Sequence, residues 1–108
     1  MPIPRLTDDG QTVTLDLHGA RVDEAERLAM AVVAEAARHG RRTVRLVHGH
    51  STTDGARRTI KTALHDLLDD GDFAPYATSH VLGEGHLLLG IAPSPSPTTG
   101  RLRLADLL

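Results

Sequence analysis

Two short stretches carry groups that can move protons beside a residue that lets the backbone turn. LDLHG, residues 15–19, places Asp16 two positions before His18, with Gly19 directly after. TVRLVHG, residues 43–49, ends in the same way on His48 and Gly49. An imidazole can give or take a proton near neutral pH. On an extended segment, residues two apart face the same side, so Asp16 and His18 can act together. The glycines allow sharp turns and close approach of the backbone to a ligand. Plainer readings stand beside this one. Asp16 could simply bond a backbone amide or His18. His48 shares strand parity with Val44 and Leu46, which would make it a buried structural histidine. A metal site from Asp16, His18, His48 and His86 has no HxH or HExxH signature behind it, so no metal ligand is assigned.

The elements that would position these groups follow from periodicity. Residues 11–18 alternate, with Val13, Leu15 and Leu17 on one side and Thr12, Thr14, Asp16 and His18 on the other, as in a half-buried strand. Residues 23–39 read as a helix. Val22, Ala25, Leu28, Ala29, Val32, Val33 and Ala36 form its apolar face, Asp23 and Glu26 a capping box, and Gly40 a left-handed stop. Residues 43–48 form a second strand. A second helix is expected over 54–69, capped by Thr53 or Asp54, with Arg57 and Arg58 in its first turn. Cations there oppose the helix dipole unless an anion binds. Residues 73–82 are weakly strand-like, and HLLLGI, 86–91, reads as a buried strand. The order is β-α-β-α-β-β. The first strand, helix and second strand make a βαβ crossover, which brings His18 and His48 to the same edge of a parallel pair. Residues 1–10 read as a leader, 11–92 as the domain, and 93–108 as a Pro/Ser linker with an amphipathic tail.

The totals narrow the function classes. The chain has 108 residues, which suits one domain, and a formal net charge of −2, so it lacks the overall positive charge of many nucleic-acid binders. The charge is unevenly spread. Residues 38–61 hold seven of the twelve Lys and Arg and a single acid, Asp54. With one Phe and one Tyr, a base-stacking platform is not expected. There is no cysteine, which removes disulfides and thiolate metal sites. Nothing approaches the ~20 apolar residues of a membrane span, and the N-terminus lacks a signal-peptide pattern, so a cytoplasmic protein is expected.

Taken in order, LDLHG (15–19), a helix containing EA, a strand ending in HG, HGHSTTDGARR (48–58) and GEGHLLLGI (83–91) resemble the Smr (small MutS-related) domain. The first motif is complete. The second is usually HGKGxGxLR. Here His48 and Gly49 match, His50 replaces the lysine, Ser51 the second glycine, and Arg57 falls at the motif's arginine. The resemblance implies a two-layer α/β sandwich, with two helices on one face of a four-stranded mixed sheet. It also implies a nicking endonuclease acting on DNA or RNA, in a family with links to mismatch repair. By this resemblance Asp16, His18 and His48 are the candidate catalytic residues. Asp16 orients His18 or is itself the base, and His48 is the complementary acid. Gly19, Gly49, His50, Arg57 and Arg58 are the candidate nucleic-acid contacts. Mg²⁺ or Mn²⁺ is left open as a cofactor. The alternative is a non-catalytic nucleic-acid-binding module that works with a protein partner, for which the C-terminal tail is the candidate contact. Oligomeric state is not legible.

Overall fold

The alternation read in residues 11–18 appears as a strand whose Val13, Leu15 and following Leu17 are fully buried. In this computed structural model, the structure is described for residues 5–49, 53–54, 57–92 and 100–107. The strands are β1 (Arg5–Asp8), β2 (Thr12–Asp16), β3 (Thr43–Val47), β4 (Thr53–Asp54), β5 (Arg57–Arg58), β6 (Ala77–Gly83) and β7 (His86–Ile91). The helices are α1 (Val22–Arg38) and α2 (Ile60–Asp69), and a 3-10 turn covers Leu104–Leu107. Five strands form one mixed sheet in the order β1-β2-β3-β7-β6. The β2–β3 pair is parallel, as the βαβ crossover requires, and the other pairs are antiparallel.

One face of the sheet is the core. Val13, Leu15, Val44, Leu46, Leu87 and Leu89 pack there with Leu28, Val32 and Val33 of α1 and Ile60 and Leu64 of α2. The opposite face carries Thr12, Thr14, Asp16, Arg45, Val47, His86 and Leu88, none of them buried. The apolar face of α1 is the one expected. At its end Gly40 adopts φ +74°, while Gly40 and Arg41 amides bond back to the Ala37 and Ala36 carbonyls, a Schellman stop.

Four details depart from the sequence reading. The sheet has five strands instead of four, because residues 5–8 of the expected leader pair with β2. An Asp9 side chain accepts from the Gln11 and Thr12 amides and sets the hairpin. The start of α1 has Arg21 at the N-cap with no side-chain cap bond, so Asp23 and Glu26 do not form the expected box; Asp23 and Glu24 instead sit in the first turn, where the dipole favours them. The second helix begins at Ile60, because Thr59 and Thr62 cap each other reciprocally. Arg57 and Arg58 therefore lie on β5, ahead of the helix, and the argument from its dipole does not apply to them. Residues Phe73–Tyr76 form a turn around the buried Phe73, and the strand expected at 73–82 runs over 77–83.

The C-terminal segment is part of the same body. Leu102 and Leu107 enter the core cluster. Asp8 holds the segment: its carboxylate takes two bonds from Arg41, at 2.7 and 2.9 Å, and one from the Leu102 amide at 2.8 Å. Arg41 also donates to the Gly100 carbonyl, and Arg101 to that of Asp8. The Pro/Ser linker at 93–99 lies outside the described residues. Among the described residues no helix is long and apolar enough to cross a membrane.

Candidate functional site

The carboxyl ends of β2 and β3 are tied together where the Leu17 amide bonds the Val47 carbonyl at 2.8 Å. Beyond that bond the two His-Gly pairs lie side by side. A side chain at Gly49 would meet the His18 Cβ at 3.9 Å. Gly19 and Gly49 have φ +85° and +86°, so both turns need the left-handed freedom that glycine supplies. The His48 and Gly49 amides both donate to the Gly85 carbonyl, at 2.8 and 3.0 Å, which ties the β6–β7 turn to the same edge.

Asp16 and His18 form a dyad. One carboxylate oxygen of Asp16 accepts from the His18 ring Nδ1 at 2.7 Å and from the His18 amide at 3.1 Å. A carboxylate only accepts, so Nδ1 carries the hydrogen of this bond and Nε2 is the ring nitrogen turned away from Asp16. The His18 side chain is 64% exposed and that of Asp16 31%. Partial burial raises the Asp16 carboxyl, but the bonds from the His18 ring and amide, with the charges of His18 and Arg5, hold it below the ordinary value. Arg5 stands directly opposite Asp16 in the β1–β2 register.

His48 lies at the same end of the sheet but on its inner side. It follows the parity of Val44 and Leu46, is 6% exposed, and meets His65 of α2 edge to face with ring centroids 6.0 Å apart. Its Nδ1 donates to the Gly49 carbonyl at 2.6 Å, and among the described residues its buried Nε2 has no hydrogen-bond partner. Burial pushes this imidazole below its ordinary pKa; the Gly49 carbonyl opposes that, and the nearby His65 and Lys61 add to it. The structure thus brings Asp16, His18, Gly19 and Gly49 together on one side and sets His48 behind them. His50 lies outside the described residues, and Arg57 and Arg58 are placed only as the backbone of β5. His65, which sequence reasoning passed over, sits between Leu64 and Leu68 of the expected helix face; its position one residue past the apolar Leu64 is the one signal that could have found it. Among the described residues no three His, Cys, Asp or Glu gather as a metal-holding group.

A family model for the Smr domain matches residues 15–85. The chain belongs to the Smr domain family. The match starts at LDLHG and ends at Gly85, so it contains the dyad, the His48–Gly49 turn and the glycine that receives its amides. It leaves out β1 and the C-terminal segment, which clasp each other through Asp8 and Arg41. No curated protein and no solved structure matches the chain.

Proposed function

We propose that this Smr domain is a nucleic-acid endonuclease that nicks a phosphodiester, with His18 as the proton acceptor and Asp16 as the group that orients it. The observation that carries this reading is the 2.7 Å Asp16–His18 bond beneath an exposed ring. A carboxylate on Nδ1 fixes the tautomer, stabilises the imidazolium as it forms, and leaves Nε2 facing solvent, where a water beside a bound phosphate would stand. Phosphate binding alone gains nothing from a carboxylate at the site. Arg5 and Arg45, exposed on the open face, supply positive charge beside the dyad that draws a polyanion to an otherwise acidic chain.

A second reading, a binding module without catalysis, draws on the burial of His48. The histidine expected to complete the proton transfer has its Nε2 enclosed on the helix side. The test is nicking of supercoiled plasmid and of structured RNA, with and without Mg²⁺ or Mn²⁺, by wild type and Asp16→Asn. The nuclease reading expects cleavage to fall by about two to four decades, with binding kept or tightened, since a negative charge beside the polyanion is removed. A variant that nicks at the wild-type rate removes Asp16 from the mechanism. Wild-type protein that binds and nicks neither substrate establishes the binding module.

A further inference from the structure

We propose that the free edge of β6 is a docking site for a protein partner, which adds an extended segment of alternating basic and apolar residues to the sheet as a further strand. The proposal stands apart from the nuclease reading, since β6 carries neither member of the dyad.

The two edges of the sheet are unlike. β1 is four residues long, bears Arg5 and Asp8, and gives its Asp8 carbonyl to Arg101 of the C-terminal segment. Charge and cover of this kind keep an edge from pairing with other chains. β6 is seven residues long, ATSHVLG, with no Lys, Arg, Asp, Glu or Pro, and among the described residues no strand lies on its outer side. The residues from Thr78 to Leu82 are all exposed, Val81 at 58% and Leu82 at 55%. The irregularity in its pairing lies between Ala77 and Ser79, at the start of the strand, so His80–Gly83 keep a regular register. The C-terminal segment, which the sequence offered as a partner contact, is committed to the core through Leu102 and Leu107.

The two faces of this edge fit different side chains. Register sets His80 and Leu82 opposite the core residues Leu89 and Leu87, so they stand on the helix side, yet both are exposed. Between β6 and the end of α2 runs a groove of about 380 Å³, lined by Leu68, Asp69, Phe73, Ala74, Thr78 and His80. Val81 stands on the open face beside Leu88. A strand laid along β6 presents alternate residues to a largely apolar groove with an acidic lip and to the Val81–Leu88 pair. Arg or Lys suits the first, with its stem along the groove and its charge toward Asp69. A β-branched apolar residue suits the second.

Charge selects the partner. From Thr62 to Ala92 the charged residues are Asp66, Asp69, Asp70, Asp72 and Glu84, with no Lys or Arg. Such an edge repels nucleic acid. It also repels a second copy of itself, whose own β6 would bring the same acids. A basic segment is drawn to it. Main-chain bonds to β6 then give affinity, and the alternating side chains give specificity.

The test is a capped peptide of alternating Arg and Val, titrated into the full chain and followed by amide shifts in NMR spectra and by anisotropy of a labelled copy. Saturable shifts should centre on His80–Leu82 and on Leu68 and Asp69. Leu82→Lys, at an exposed position that leaves the core intact, should weaken binding about fivefold or more. Asp69→Asn should weaken it about two- to fivefold and reduce its salt dependence. The same side chains on an N-methylated backbone should not bind, because that backbone cannot donate to β6. Absence of saturable binding, shifts confined to the β2–β3 edge, equal binding by the N-methylated peptide, or wild-type affinity in Leu82→Lys each overturns the proposal. So does a chain that sediments as a dimer on its own and that Leu82→Lys makes monomeric, because β6 is then paired with a second copy.

Discussion

Asp8→Asn tests whether the clasp between the first strand and the C-terminal segment holds the domain that carries the site. The Asp8 side chain is 1% exposed and that of Arg41 12%. Burial alone would raise the Asp8 carboxyl. The bonds from Arg41 and from the Leu102 and Gly10 amides, with the Arg41 charge, outweigh it and lower the pKa from 3.8 to about 2. Nearly two units correspond to about 2.5 kcal/mol of extra stabilisation of the ionised form in the fold. Because the folded pKa is depressed, that contribution is fully present above the unfolded value of 3.8 and is lost as pH falls through about 2. Asparagine turns a donor toward donors and leaves Arg41 largely buried without its partner, which costs about 3–5 kcal/mol in such pairs. Against a typical stability of about 5–15 kcal/mol this is a large fraction. Urea unfolding of both proteins from pH 7 to pH 2 measures it. The gap between wild type and Asp8→Asn should stay near 3 kcal/mol or more down to about pH 4 and narrow below it. Other carboxylates, such as Asp9 and Asp16, titrate in both proteins and cancel in the difference. A gap under about 0.5 kcal/mol at pH 7, the range of an ordinary surface change, or a gap that does not narrow in acid, would refute the reasoning.

Arg57→Ala with Arg58→Ala should weaken nucleic-acid binding and lower the slope of log K against log salt by about one for each lost phosphate contact; an unchanged slope in a filter-binding titration places the ligand elsewhere. Thr59→Ala removes half of the reciprocal cap on α2 and should lower stability by about 1 kcal/mol in thermal unfolding, with no change at the dyad.

What was legible in the sequence is what period and composition encode locally. Val13, Leu15 and Leu17 alternate with polar residues and are buried as expected; Leu28, Val32 and Val33 recur at helical spacing and face the sheet. Gly40 stops α1 in the left-handed conformation that its place after the apolar run predicted. β1 was not legible, because RLTD offers one apolar side chain, and its register comes from the Asp9 turn and from Arg41, 33 positions from Asp8. The start of α2 was misplaced because a Thr59–Thr62 cap lacks the acidic third residue that usually marks a capping box. HLLLGI reads as a uniformly apolar run, so the outward place of His86 emerges only once Leu87, Leu89 and Ile91 are seen to share the core.

The two His-Gly pairs show how little a motif says about a role until parity is known. In β2 the inward residues are Leu15 and Leu17, so the next residue, His18, falls outward. In β3 they are Val44 and Leu46, so it is His48 itself that falls inward. Asp16 stands opposite Val47, and the same register continued past the strands sets Leu17 opposite His48 and His18 opposite Gly49. A shift of one residue between similar sequences thus sends one imidazole to solvent with a carboxylate on its Nδ1, and the other to the core against α2. The pleat also gives Gly49 its place: it takes the outward position beside His18, where a Cβ would lie 3.9 Å from that of His18. By the same alternation His86 falls on the outer face and His48 on the inner one, so the letters HG fix which face an imidazole meets only where parity agrees.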